Sequence, residues 1–323
     1  MTYRVMWTDC DHANINEEEA VLKAAGITDY KIEQCLTEDD VIAKCKGAVV
    51  LLNQYTPLRE KVFSNMPELK CIVRYGVGVD NVDLEAATKY GVQVCNVPDY
   101  GTFEVADQAF SLLIACVRKT IDSNKQVHEG GWDFSKMAPI HRMSTLTVGV
   151  YGLGRIGKAF AKRVHAFGCH VVGYDILPNA LNNDPEYDFI EVVDKEELFK
   201  RSDIVSLHCG LNAENAHFMN KEYFDKMKDG AIFVNVSRGG LVNENDLAEA
   251  LISGKLSGAG IDVTCKEPLQ ADSKLRQAPN LIITPHIAWY SVESASDLKT
   301  KTAEEGARAI LGQPPRCPVN KLN

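Results

Sequence analysis

The ten cysteines include no two at C-x-x-C spacing, which gives a zinc or thioredoxin-type site little support, and no metal is expected. They stand at 10, 35, 45, 71, 95, 116, 169, 209, 265 and 317, mostly inside apolar runs such as Lys70-Cys71-Ile72-Val73, as buried thiols of a reducing cytosol do. An excess of positive charge is also missing. The net charge is −9 and the pI about 5.5, which argues against a general nucleic-acid or anionic-membrane binder. A small anion is a different matter, because a few local arginines and helix N-termini suffice to hold one. No apolar run is long enough to span a bilayer. The opening MTYRVMWTDC has no basic stretch followed by an apolar one, so a cytoplasmic chain is expected. Low-complexity tracts and internal repeats are absent.

What is present is ordinary globular composition, 45% hydrophobic and 24% charged, over 323 residues, a length that suits two domains. Short β-rich runs alternate with amphipathic helical stretches. The first third reads as strand Tyr3–Thr8, helix Glu17–Ala25, strand Lys31–Cys35, helix Glu38–Cys45 and strand Ala48–Leu52. Helix Arg59–Asn65, strand Cys71–Arg74, helix Leu84–Tyr90 and strand Val92–Asn96 follow. A long helix is expected from about Glu104 to His128, its apolar positions Val105, Ala109, Leu112, Leu113 and Val117 recurring at helical spacing. A second series places strands at Thr147–Tyr151, His170–Tyr174, Ile204–Leu207, Ala231–Val236, Gly258–Asp262 and Leu281–Ile283. A final helix runs from Ser291 to about Leu311. Such alternation implies βα units around parallel sheets, an α/β fold.

The strongest local signal is Gly152-x-Gly154-x-x-Gly157, which follows a β-rich run and opens a helix. Gly152 permits a tight turn, Gly154 lets backbone approach a pyrophosphate, and Gly157 permits close helix–strand packing. The amides near Arg155 and Ile156 would hold the phosphates. The next strand ends at Asp175, an acid that can bind ribose hydroxyls and would repel a 2′-phosphate. No arginine follows it in Ile176-Leu177-Pro178, so NAD is favoured over NADP. The alternative is a glycine-rich turn that serves packing alone.

Nicotinamide chemistry on a 2-hydroxy acid needs a cation for the carboxylate, a proton donor and acceptor, and a group that tunes it. Arg238, in Val236-Ser237-Arg238-Gly239-Gly240, can grip a carboxylate with two parallel hydrogen bonds; otherwise it is a surface arginine. His286, in Thr284-Pro285-His286, is the residue type for acid–base work near neutrality, although a lone histidine is more often structural. Glu267, in Asp262-Val263-Thr264-Cys265-Lys266-Glu267-Pro268, can pair with it, and Asp262 is either a cofactor ligand or a turn residue. The run Arg74-Tyr75-Gly76-Val77-Gly78-Val79-Asp80-Asn81 either exposes amides to a carboxylate or is a tight turn capped by Asp80.

Together these motifs resemble the D-isomer-specific 2-hydroxyacid dehydrogenase family over essentially the whole chain. The motifs are R-x-G-x-G-x-D-N at 74–81, N-V-P at 96–98, G-x-G-x-x-G with Asp175, N-x-S-R-G-G at 235–240, D-V-x-x-x-E-P at 262–268 and T-P-H at 284–286. The resemblance implies an NAD(H)-dependent oxidoreductase that interconverts a D-2-hydroxy acid and its 2-keto acid, of the glyoxylate, hydroxypyruvate or small keto-acid reductase type. It implies two Rossmann-like domains with doubly wound parallel sheets: a discontinuous flavodoxin-like substrate domain (1–100 and 292–323) with an NAD-binding domain (101–291) inserted. It makes Arg238, Glu267 and His286 catalytic, with Arg238 binding the substrate carboxylate, His286 moving the proton and Glu267 pairing with His286. It adds Cys209, Gly210, Asn215, Val236, Ser237, Arg238, Asp262, His286 and Trp289 to the cofactor site, Asp262 on the nicotinamide amide. Substrate would meet Arg74, Val77, Gly78, Arg238, His286 and Trp289.

Within the family the runs His208-Cys209-Gly210-Leu211-Asn212-x-x-Asn215 and His286-x-x-Trp289-Tyr290-Ser291 are most similar to the C-terminal binding protein group. The alternative function is therefore an NAD-sensing, peptide-binding module without physiological turnover. The end of the chain soon after the last motif weighs against that role. The resemblance also implies a homodimer, with the helix near 104–128 in its interface.

Overall fold

A computed structural model describes residues 3–322. Met1, Thr2 and Asn323, which the expected segments 1–100 and 292–323 include, lie outside the described residues. The first elements are β1 (Val5–Trp7), α1 (Asn16–Ala24), β2 (Tyr30–Ile32), α2 (Glu38–Lys44), β3 (Val50–Asn53), α3 (Glu60–Asn65), β4 (Cys71–Arg74), α4 (Leu84–Lys89) and β5 (Gln93–Cys95). Next come α5 (Thr102–Arg118), α6 (Thr120–His128), β6 (Thr147–Tyr151), α7 (Arg155–Ala166), β7 (His170–Tyr174), β8 (Ile190–Val192), α8 (Lys195–Arg201) and β9 (Ile204–Leu207). The chain closes with α9 (Lys221–Lys226), β10 (Ala231–Asn235), α10 (Glu244–Ile252), β11 (Leu256–Ile261), β12 (Leu281–Ile283) and α11 (Val292–Ile310). It divides into two compact units, Met1–Gly101 with Ser291–Asn323, and Thr102–Tyr290.

Unit 1 holds a five-stranded parallel sheet in the order β2-β1-β3-β4-β5. Every residue of β1 and β3 is buried, as expected where helices cover both faces of a parallel sheet. One face packs on Val41, Val62, Phe63 and Ala87 from the intervening helices. On this unit α1 and α11 lie side by side, and α11 also packs on β3 and β4. A capping box, Ser291 with Ser294, fixes where α11 begins. The strand order reverses between β1 and β3, so the loops after β1, β3 and β4 share the carboxyl edge where such sheets bind ligands.

Unit 2 holds a seven-stranded parallel sheet in the order β12-β11-β10-β9-β6-β7-β8. One face is sealed by Leu198, Phe199, Phe224 and Leu247, the other by Leu112, Leu113, Phe160 and Val164. The order reverses between β6 and β9, and the glycine-rich turn, Cys209, Arg238, Asp262 and His286 all follow strands at the carboxyl edge.

Two features differ from the sequence reading. The single helix expected over 104–128 is two, because Lys119 takes the left-handed region (φ 51°) between α5 and α6. The apolar face is the reason: α5 buries Ala106, Ala109, Leu112, Leu113 and Val117, whereas α6 buries nothing and is free to change direction. The strand β8 is additional, an edge strand of three residues with two exposed, too short and too polar to read as alternation.

Candidate active site

The glycine-rich turn is shaped by sterics. Gly152 sits at φ +102°, and a Cβ there would come 2.7 Å from the His208 carbonyl. One on Gly157 would fall 1.9 Å from the Gly152 oxygen. Gly154 differs: no atom lies within 4 Å of its Cβ position and its φ is an ordinary −69°, so the protein itself makes no demand for glycine there. Gly154 is also the N-cap of α7 and offers no side chain to the amides of Arg155 and Ile156, which have no acceptor among the described residues. Open space in front of two free amides at a helix N-terminus fits a dinucleotide pyrophosphate.

Asp175 follows β7 and accepts from the amides of Leu153 (2.7 Å) and Leu177 (2.9 Å), tying the strand end to the turn. Just after β9, which pairs with β6, His208 packs on Phe160 at 4.8 Å and meets Ser206 Oγ at 2.9 Å, and burial pushes its imidazole down to about 3, so it is neutral. Burial also pushes the half-buried Cys209 thiol up to about 11. The loop beyond it is folded by its own asparagines. Asn215 Nδ2 donates to Gly210 O at 2.7 Å, and Asn212 accepts from the amides of Glu214 and Asn215. Gly210 is exposed with no neighbour to its Cβ position.

At the end of β10 the buried Asn235 does the holding. Its Nδ2 donates to Arg238 O at 2.9 Å and its Oδ1 accepts from Ser237 N at 3.0 Å. Ser237 Oγ donates to Leu207 O, and Val236 is buried. Arg238 is half-buried, with Nη1 donating to Ser237 O at 2.8 Å. A Cβ on Gly239 would lie 2.0 Å from the Thr264 carbonyl carbon, so the Arg238 turn is pressed against the segment that carries Glu267.

His286 Nδ1 is 2.7 Å from Glu267 Oε2, and Glu267 Oε1 accepts from Thr264 N at 3.0 Å. Burial alone would raise the Glu267 carboxyl. The hydrogen bond and charge of His286, the Thr264 amide and the charge of Arg238 outweigh it, so Glu267 sits below the ordinary carboxylate range. His286 occupies the left-handed region at φ 55°, a costly conformation for a residue with a side chain. Asp262 stabilises it. This buried carboxylate accepts from Thr284 Oγ1, Ile287 N (3.1 Å) and Ala288 N (2.8 Å), while its backbone oxygen accepts from His286 N (2.9 Å). Burial nonetheless raises its pKa, against the pull of those three bonds. Trp289 is half-buried, edge-on to Tyr290 with ring centres 5.5 Å apart.

The remaining expected residues, Arg74, Val77 and Gly78, belong to unit 1. Gly76 sits at φ +123°, with the Arg74 guanidinium folded over it, 1.9 Å from the Cβ position. Gly76 O accepts from Val97 N (3.0 Å) and Val77 O from Asn96 Nδ2 (2.7 Å). In a trans peptide the N–H points opposite the carbonyl, so the Val77 and Gly78 amides face away from those partners, and neither has an acceptor among the described residues. Two adjacent amides without a protein acceptor are a candidate pair for holding an anion.

The structure thus joins Arg238, Glu267, His286 and Asp262 at neighbouring strand ends, and Gly152, Asp175 and Cys209 at others. Asn235, Thr284 and Asn96 carried no assigned role in the sequence reading, although each lies inside a motif named there. Two further acids have partners: Asp99 lies 3.4 Å from Lys301 and 3.8 Å from Arg316, and Asp107 lies 2.6 Å from Arg163.

The family model for the D-isomer specific 2-hydroxyacid dehydrogenase NAD binding domain matches residues 110–288. A hydroxypyruvate reductase of Blautia hydrogenotrophica is 35% identical over 290 residues, 88% of each chain. A D-3-phosphoglycerate dehydrogenase of Methanocaldococcus jannaschii is 35% identical over 308 residues; the alignment covers 95% of this chain and spans 58% of that one. Among solved structures, a D-lactate dehydrogenase from Aquifex aeolicus complexed with NAD and lactic acid superposes with a TM-score of 0.86 at 28% identity, covering 95% of this chain and 96% of the other. The chain belongs to the D-isomer-specific 2-hydroxyacid dehydrogenase family, NAD-dependent enzymes that interconvert 2-hydroxy acids and 2-keto acids.

Proposed function

We propose that Arg238, Glu267 and His286 carry this reaction on a small D-2-hydroxy acid, and the observation behind the assignment is the 2.7 Å contact between His286 and Glu267 beside the Arg238 turn. His286 holds the proton on its second ring nitrogen, Nε2, for the substrate oxygen and takes it back in the reverse direction. Glu267 fixes the ring through Nδ1, leaving Nε2 to face the substrate. In unit 2 Arg238 grips the substrate carboxylate; in unit 1 the Val77 and Gly78 amides, with Arg74, form a seat suited to the same kind of group. NAD, when bound, supplies and takes back the hydride. Arg155 and Ile156 would meet its phosphates and Asp175 its adenosine ribose, Asp175 disfavouring a 2′-phosphate. The loop Cys209–Asn215, with Val236, Ser237 and Asp262, would complete its seat. Trp289 is an apolar wall that suits glyoxylate, hydroxypyruvate or a small branched keto acid.

We also propose kinship with the C-terminal binding protein group, supported by the Cys209–Asn215 loop that Asn212 and Asn215 fold. A reducing, cytoplasmic setting is supported by ten free cysteines. A homodimer is supported by an exposed apolar patch at the end of α6 and just after it, where Trp132 and Phe134 are 89% and 91% exposed beside Val127 and Ile140. NADH oxidation over a panel of 2-keto acids, with His286→Ala as control, tests the central assignment. Turnover lost in the variant supports it. A variant as active as wild type refutes the role of His286.

A further inference from the structure

A buried polar chain in unit 1 ends at the turn proposed to hold the substrate carboxylate. Tyr75 is the residue between β4 and Gly76, and its ring is 3% exposed. Its Oη accepts from Trp7 Nε1 at 2.7 Å and donates to Glu18 Oε1 at 3.0 Å. Burial, and then the Glu18 charge, push the phenol well above its ordinary value, so Oη keeps its proton and remains a donor. Glu18 projects from α1 and is 0% exposed. Its other oxygen lies 3.6 Å from Nζ of Lys299 on α11, which also donates to Asn14 Oδ1 at 3.1 Å and pairs with Glu17.

A wholly buried carboxylate is expensive unless paired, and a tyrosine hydroxyl without partners would be too. Packing α1 on α11 needs neither group, since apolar side chains fill such a space at lower cost. What the chain achieves is a fixed Tyr75. Tyr75 N also donates to Asn53 O at 2.8 Å, while Val97 and Asn96 hold the carbonyls of Gly76 and Val77 from the other side. The backbone between these anchors has little freedom left, and the directions of the Val77 and Gly78 amides are set by it. We propose that Tyr75, clamped between Trp7 and Glu18, is a positioning residue that aims the Val77 and Gly78 amides at the substrate carboxylate. The proposal rests on the reading of those amides as a carboxylate seat.

Tyr75→Phe keeps the ring and removes the hydroxyl, leaving Trp7 Nε1 and Glu18 Oε1 without their partner. The probe is oxamate, an inert isostere of a 2-keto acid, titrated calorimetrically into NADH-saturated protein, with keto-acid kinetics, NADH affinity and thermal melting alongside. The expected result is a rise of about tenfold in oxamate Kd and keto-acid KM together, with kcat and NADH Kd within about twofold of wild type. Glu18→Gln, whose amide oxygen still accepts from Tyr75, should show a smaller rise of about threefold. A lowered melting temperature with unchanged oxamate Kd would make the chain structural only and overturn the proposal. Should Tyr75→Phe fail to fold, Glu18→Gln decides in the same way: a weakened oxamate site supports the proposal and an unaltered one overturns it. Wild type that neither binds oxamate nor reduces any 2-keto acid would instead sink the carboxylate-seat reading, and this proposal with it.

Discussion

Glu267→Gln isolates what a carboxylate beside His286 does for proton transfer. Glu267 sits below the ordinary carboxylate range, so it is charged throughout the neutral region, and its charge is lost only as pH falls through that depressed value. Glutamine keeps an oxygen for His286 Nδ1 and removes only the charge. A contact of 2.7 Å puts the charge centres about 4 Å apart, worth about 4 kcal/mol at an effective dielectric of about 20. The two side chains are 36% and 40% exposed, so solvent screening reduces this to about 1–2 kcal/mol. That corresponds to about a tenfold loss in kcat/KM. On the proposed reading His286 carries the proton, so keto-acid reduction by the variant should fall about tenfold while NADH Kd stays within about twofold of wild type and thermal melting is unchanged. A loss that comes with weakened NADH binding or a lowered melting temperature would be general damage. Activity within about twofold of wild type would refute the electrostatic role of Glu267.

Gly239→Ala drives a Cβ to within 2.0 Å of the Thr264 carbonyl carbon, so one of two backbone segments must yield. The variant should lose about 1–3 kcal/mol in thermal unfolding, and its keto-acid KM should rise at least about tenfold as Arg238 is displaced. Asp175→Ala leaves the Leu153 and Leu177 amides without their acceptor. Fluorescence titration should show NADH Kd up by about tenfold and a narrower preference over NADPH; an unchanged ratio of the two affinities would remove Asp175 from cofactor selection. Trp132→Glu places a charge in the exposed apolar face, and light scattering should report monomer where wild type reports dimer. A wild type already monomeric at micromolar concentration would refute the proposed homodimer.

The strands β4, β6, β7, β9 and β12 begin and end where the sequence places them. Each is a short, largely β-branched or apolar run, the pattern that strands of a helix-covered parallel sheet favour, and the half-buried edge strand β12 keeps it too. The strand β8 gave no such signal because two of its three residues face solvent. The turn at Lys119 was illegible for a different reason. The residues of α6 are compatible with helix, so propensity continues through a single left-handed residue that only the loss of the apolar face permits. Residue type left Arg238, Glu267 and His286 as candidates with bland alternatives, and the motifs around them at strand ends singled them out. The holders were not marked: Asn96 acts through the distant Val77 carbonyl, whose position exists only once the chain has folded, and Asn235 acts through backbone groups of its own turn, which residue type does not reveal.

Asp262 is the holder whose removal tests this division between residues that act and residues that hold. It is buried, and burial raises its pKa, so three donors maintain its charge without a cation hydrogen-bonded to it. Neutralising a buried charge would by itself relieve a desolvation cost. Asp262→Asn nevertheless offers one acceptor where two oxygens serve three donors, and its amide group must face an N–H or a hydroxyl. The mismatch leaves at least one donor buried and unpaired, a loss of about 1–3 kcal/mol. It falls on the segment that keeps His286 at φ 55°. Thermal melting should therefore drop although a charge penalty has been lifted, and kcat should drop with it as His286 leaves its place against Glu267. An Asp262→Asn protein that melts and turns over as wild type does would show that His286 keeps its conformation without the carboxylate, and the holding role would pass to Thr284 and the strand ends alone.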